Sequence, residues 1–299
     1  MRLDDIDPTD NAQDLGSGGG GGGGGFPLLG LLPLVLGRGM GCGSIAIIGL
    51  IAIAYFAMSS GGGGGLLSSG GAGSGVGQSP TAGQSGRQVC TGERLESCRV
   101  MRLADDTWAA IFREGGRSYR PATIKFYQGQ VDSGCGSASS AVGPFYCPAD
   151  QGVYLDTSFF RELEQRFGAK GDFARDYVIA HEMGHHVQDL LGTSGKVSQL
   201  QARASRAEGN ALSVRLELQA DCFAGVWAAR NKERIEPGDI EEGMTAANAI
   251  GDDTLQRKAQ GTVVPESFTH GTSAQRMAWL KKGLDTGDPA QCDTFSGNI

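Results

Sequence analysis

Two glycine tracts divide this chain before any secondary structure is considered. Residues 16–25 are glycine except for Ser17, and residues 59–86 are mostly glycine and serine. Such backbone has little apolar surface to bury and much entropy to lose on ordering, so it behaves as flexible coil. Of the 50 glycines in 299 residues, 27 fall in residues 1–86. Residues 87–299 have an ordinary glycine content and nearly all the charge, and they are expected to form one globular domain with its own core. The glycines follow no three-residue period, which excludes a collagen-like fibre. A net charge of −7 argues against nucleic acid as a partner.

Between the tracts lies an apolar stretch from Phe26 to Met58, broken early by Pro27, Pro33 and Arg38. Residues 39–58 carry no charge, and twenty helical residues at about 1.5 Å each span about 30 Å, one bilayer core. We expect a single transmembrane helix there, after a glycine-rich segment 1–38 and before a flexible linker 59–86. Arg38 flanks the run and no further basic residue follows until Arg87. The positive-inside rule then places the N-terminus in the cytoplasm and the domain outside the cytoplasmic membrane, in the periplasm or beyond. A cleaved signal peptide is the alternative, but the acidic approach lacks a basic n-region.

Cysteine usage agrees with export. Cys90, Cys98, Cys135, Cys147, Cys222 and Cys292 all lie in the domain, an even number that suggests three disulfides with 15 possible pairings. Proximity favours Cys90–Cys98 and Cys135–Cys147, leaving Cys222–Cys292. No C-x-x-C spacing supports a cysteine metal site.

Residues 181–185 read His-Glu-Met-Gly-His. Phe173, Tyr177, Ala180, Gly184, Val187 and Leu191 recur at helical spacing, with Asp172 as candidate N-cap and Gly192 as stop. At 100° per residue, His181 and His185 lie 40° apart, so both imidazoles can reach one zinc ion. Glu182 is rotated by 100° and suits a general base beside a metal-activated water. His186 points away and reads as structural. The chain has only four histidines, so the third ligand is either His270 or a carboxylate. Residues 212–231 form a second expected helix, on which Glu217 and Asp221, four apart, share a face. Glu217 can ligate while Asp221 orients a zinc-bound histidine; a solvated acidic face is the plain alternative.

His-Glu-Met-Gly-His-His at 181–186, followed by Glu-Leu-Gln-Ala-Asp-Cys at 217–222, resembles the bacterial neutral zinc metallopeptidases. The resemblance extends through Gly143-Pro-Phe-Tyr-Cys-Pro148, Tyr154-Leu-Asp156 and Thr269-His-Gly-Thr-Ser-Ala-Gln-Arg276, over roughly residues 87–295. More broadly the chain looks like the gluzincins, zinc peptidases with two helix histidines and a downstream glutamate. The resemblance implies Glu217 as third ligand and Asp221 as the orienting carboxylate.

His270 precedes a helix that Thr272 and Gln275 can cap and Gly283 can end. His270 and its neighbouring amides are candidates to face an oxyanion; Arg276 is a candidate substrate or oxyanion group by the same resemblance, with a structural salt bridge as its plain alternative. Tyr146 is a further phenol candidate for that role. The strand around Val153–Asp156 is a candidate edge for peptide binding, stiffened by a Cys135–Cys147 link. The expected fold is an α+β, zincin-like domain, mostly helical with a small sheet. The expected activity is peptide-bond hydrolysis on peptide or protein substrates with one catalytic zinc. The alternative is a non-catalytic, zinc-stabilised envelope-binding or chaperone-like module.

Overall fold

The computed structural model describes residues 1–17, 86–297 and 299. The expected membrane span 39–58 and nearly all of the linker lie outside the described residues. Among the described residues, no helix is long and apolar enough to cross a membrane.

After a single turn at Gly86–Val89, the chain forms helix α1 (Leu95–Glu114), then strands β2 (Thr123–Gln128), β3 (Gln130–Ser133), β4 (Gly136–Ser139), β5 (Phe145–Cys147) and β6 (Gly152–Leu155). Seven helices follow: α2 (Ser158–Phe167), α3 (Asp172–Leu190), α4 (Thr193–Gln201), α5 (Arg206–Arg230), α6 (Asp239–Ala249), α7 (Asp252–Gln260) and α8 (Ser273–Thr286). This is the α+β arrangement expected.

The sheet runs β1-β2-β6-β5, where β1 (Ala12–Ser17) comes from the N-terminal segment. β1 and β6 pair parallel to β2, and β5 pairs antiparallel to β6. Strand side chains alternate between faces. Ile124, Phe126, Val153 and Leu155 enter the main core with the helices, while Tyr127 and Tyr154 join Val131, Val142 and Phe145 under the β3–β4 hairpin. The expected strand at Val153–Asp156 is therefore real, but it is internal; the three-residue β5 forms the sheet edge beside α3.

Helix α3 packs against α1, α5, α6 and strands β5 and β6. It is buried on nearly every side, including Asp176, Met183 and Gln188, not along a single stripe. Two helices come close enough to share chemistry only where side chains are absent. A Cβ on Gly184 would lie 2.9 Å from the Cα and carbonyl oxygen of Ala220 on α5. On the other side of α5, Gly225 and Gly283 make the crossing with α8, each facing backbone of the partner helix. Gly283 is thus a contact residue within α8, which continues to Thr286, and not its end.

The Thr272–Gln275 capping box forms as expected, with Gln275 N–H donating to the Thr272 hydroxyl. A second box, Ser205 with Glu208, starts α5 six residues earlier than the sequence pattern indicates. The three disulfides are Cys90–Cys98, Cys135–Cys147 and Cys222–Cys292, the pairing that proximity favours.

The expected boundary at residue 87 needs correction. Residues 1–17 belong to the same folded body. Met1, Leu3 and Ala12 are buried in the main core, β1 is hydrogen-bonded to β2, and Asp4, Asp5 and Asp14 pair with Arg99, Arg234 and Arg94. Residues 1–17 and 86–297 thus pack around one core.

Candidate metal centre

The crossing of α3 and α5 at Gly184 places two imidazoles opposite one carboxylate. His181 Nε2 lies 3.1 Å from Glu217 Oε2, and His185 Nε2 lies 3.3 Å from Glu217 Oε1. One ligand atom from each of the three residues falls within 4.8 Å of the others. Two imidazoles and a carboxylate match a catalytic zinc set, which needs three protein ligands and an open fourth position. The residues therefore fit the metal that the sequence implies.

Behind His181 stands a buried polar cluster. Asp221 Oδ1 accepts from His181 Nδ1 at 2.8 Å and from the Tyr177 hydroxyl at 2.6 Å. Arg276 closes on the same carboxylate with both arms, Nε to Oδ2 and Nη2 to Oδ1, each at 2.8 Å. Burial alone would raise the Asp221 pKa; the Arg276 and His181 charges outweigh it and hold the carboxyl below its usual value. Asp221 thus has the orienting position expected of it. Arg276 does not face an open site. It is fully buried, and its guanidinium is committed to Asp221, which leaves no place for a substrate contact.

The ligand residues carry shifts of their own. Burial works against charge on His181, but Asp221 and Glu217 prevail and raise its pKa to about 9. Glu217 is held well below its usual value; burial opposes this, and the charges of His185 and His270 lead the opposing causes. Glu182 is buried one residue after His181, and burial raises its carboxyl above the ordinary value against the pull of His185 and His181. A carboxylate moved in that direction is a better base near neutral pH.

His270 comes from the loop between α7 and α8, yet its field reaches Glu217. Its Nδ1 lies 3.1 Å from Asp252 Oδ1 at the start of α7. Asp252 Oδ2 also accepts the backbone N–H groups of Thr269, His270 and Gly271. Those amides, expected to be free for an oxyanion, are thereby consumed in fixing the loop. The imidazole itself remains available, since its buried Nε2 has no hydrogen-bond partner among the described residues.

Tyr146 is placed elsewhere. Its hydroxyl lies 3.1 Å from Asp189 and 3.0 Å from His186 Nδ1. His186 Nε2 donates to the Arg120 carbonyl, in keeping with a structural role for that histidine. Asp252, Tyr177 and Gln188, which meets His185 Nδ1 at 2.9 Å, were not singled out for the site from sequence. Gln188 has a readable signal, being one helical turn after His185. Asp252 has none, because 18 residues separate it from His270. A cavity of about 430 Å³ opens at the far end of α3, lined by Leu191, Val197, Leu200, Phe223 and Phe295 among others, but by no metal ligand.

A family model described as "Putative neutral zinc metallopeptidase" matches residues 1–295. The match includes the N-terminal segment that supplies β1. The uncharacterized protein YpfJ of Escherichia coli strain K12 is 54% identical over 202 residues, covering 67% of this chain and 70% of that protein. The uncharacterized protein Rv2575 of Mycobacterium tuberculosis is 44% identical over 216 residues, covering 68% and 72% of the two chains. No solved structure matches the chain.

Proposed function

The chain belongs to the neutral zinc metallopeptidase family, and from that premise we propose that it hydrolyses internal peptide bonds of peptide or protein substrates at the His181, His185 and Glu217 centre. The observation that carries the reading is the convergence of those three ligands with a buried, upward-shifted Glu182 between the two histidines. Zinc, when bound there, supplies a Lewis acid that acidifies water toward pKa ~7 and polarises the scissile carbonyl. Glu182 takes the proton from the attacking water and passes it to the leaving amine. His270, held by Asp252, presents Nε2 to the oxygen on which charge develops. Asp221 keeps the Nδ1 proton of His181 in place, so that Nε2 faces the metal.

The test uses the full chain, with zinc stoichiometry and cleavage of a peptide library as readouts. Glu182→Gln is expected to keep zinc and lose roughly 10²–10⁴-fold in activity. Wild-type turnover in that variant sinks the mechanism, and undiminished zinc in Glu217→Ala sinks the ligand set. Zinc binding with no cleavage of any peptide would mark a zinc-stabilised binding module instead.

Three disulfides support an exported catalytic unit, and the apolar stretch from Phe26 to Met58 supports attachment to the cytoplasmic membrane by a segment that enters and returns on one side, since a single crossing at 39–58 would part residues 1–17 from the domain they pack against. In this reading residues 1–17 lie on the exported side with the catalytic unit. Membrane-impermeant thiol labelling checks it. Cysteines introduced as Pro8→Cys and Lys258→Cys should react from the same side of intact cells; reaction from opposite sides overturns it.

A further inference from the structure

We infer that Gln188 is the positioning residue of His185, and that a relay through Gln219, ending on the backbone carbonyls of Leu216 and Cys292, sets which way it points. The inference rests on His181, His185 and Glu217 being metal ligands.

The two ligand histidines are supported in different ways. Asp221, behind His181, is an anion and can only accept from Nδ1. The group behind His185 is a neutral amide, and an amide has an accepting end and a donating end of nearly the same shape. Whichever end faces Nδ1 decides the tautomer, and so decides whether Nε2 offers the metal a lone pair or a proton.

The surroundings of Gln188 settle the choice. Its Nε2 lies 2.7 Å from the Leu216 carbonyl oxygen and 3.2 Å from Gln219 Oε1. A backbone carbonyl cannot donate, so the NH₂ end of Gln188 must face Leu216. Gln219 is oriented by the same logic, because its Nε2 lies 2.9 Å from the Cys292 carbonyl. Its Oε1 is then left to accept from Gln188. With both amides fixed, Gln188 Oε1 is the atom that meets His185 Nδ1, at 2.9 Å. Nδ1 carries a proton directed at Gln188, and Nε2, 3.3 Å from Glu217 Oε1, is the nitrogen turned toward the metal position. Reversing Gln188 would set its oxygen against both the Leu216 carbonyl and Gln219 Oε1. Gln188 is fully buried, so water is not at hand to relieve that opposition.

The relay is anchored at its far end. Cys292 is joined by its disulfide to Cys222, three residues after Gln219 on α5. The helix that carries the third ligand thus also holds the group that polarises the second.

Zinc competition against a chelator, the visible absorption of the cobalt-substituted chain and the melting of the metal-free chain together test this. Gln188→Leu is expected to weaken zinc binding about 10–100-fold and to shift the cobalt bands, with the metal-free fold retained. Gln188→Glu keeps an acceptor opposite Nδ1 but sets its other oxygen against the Leu216 carbonyl and Gln219 Oε1, so it too should bind zinc more weakly than wild type. Gln219→Leu should lose part of the affinity, and it decides the matter alone if Gln188→Leu does not fold. Folded leucine variants with wild-type affinity and cobalt spectra overturn the relay, as does wild-type affinity in Gln188→Glu, which lacks the donating arm. A wild-type chain that binds no zinc would sink the metal reading itself. One that binds zinc without cleaving peptides would sink only the peptidase reading, because neither affinity nor the cobalt spectrum depends on turnover.

Discussion

Two of the regions where carboxylates meet guanidinium groups carry opposite weight. Between α3, α5 and α8, Asp221 and Arg276 are both buried and bonded through both arms of the guanidinium. On the N-terminal segment, Asp4 and Asp5 pair with Arg99 and Arg234 while remaining largely in water. Inside, each charge depends on the other because neither has solvent. Outside, water competes for both, and the segment is held by what lies beneath the pairs: Met1, Leu3 and Ala12 in the core and the β1–β2 ladder. The same pair of residue types therefore orients His181 in one place and contributes little in the other.

The largest effect is expected where that interior pair is broken. Arg276→Met leaves Asp221 buried without its partner, at a cost of about 3–5 kcal/mol. His181 loses its fixed orientation with it, so chemical denaturation and zinc titration should fall together. A stable variant that binds zinc as wild type would show that Tyr177 and His181 suffice to hold Asp221.

Acidity separates the regions next. In the metal-free protein His181 has a pKa of about 9 against 6.5 for an ordinary histidine. A group raised on folding contributes stability that is complete below the unfolded value and is lost as pH rises through the folded one. The melting temperature of chelator-treated protein should therefore decline between pH 6.5 and about 9, if other groups are held constant. Zinc must displace that proton, so zinc affinity should climb across the same window. Calorimetry in buffers of different ionisation enthalpy would show the proton released; no release at pH 7 contradicts the shift.

On the N-terminal side the expected changes are smaller, and they rank apolar contact above charge. Leu3→Ala should cost about 2 kcal/mol and speed hydrogen exchange in β1, while leaving zinc affinity intact. Asp5→Asn should leave the melting temperature within measurement error. A larger loss from Asp5→Asn than from Leu3→Ala would reverse the comparison.

Much of the centre could be read before the fold was known, because its chemistry is local. His181, Glu182 and His185 sit within one and a half turns of helix, and Glu217 and Asp221 within another, so helical geometry alone orients each set. The Thr272–Gln275 capping box and the two nearest-neighbour disulfides are legible for the same reason. What escaped depends on contacts between distant segments. Nothing near Asp252 points to His270, and nothing near Arg276 shows that Asp221 will enclose it. The N-terminal segment escaped through composition, since few apolar residues and a following glycine tract resemble a disordered leader. Only the pairing of Ala12–Ser17 with β2 reveals a strand there.

The crossing at Gly184 bears on how such chains are recognised. Written as H-E-x-x-H, the motif has two free letters. Here neither is free: Met183 is wholly buried in the core, and a methyl group at position 184 would already collide with the backbone of α5. The glycine acts as a gauge that sets the gap between ligand helices to the reach of one glutamate side chain. A chance pair of histidines at the same spacing carries no such gauge. A search that demands glycine before the second histidine, and a glutamate on the helix it touches, would discard most accidental matches while retaining this one.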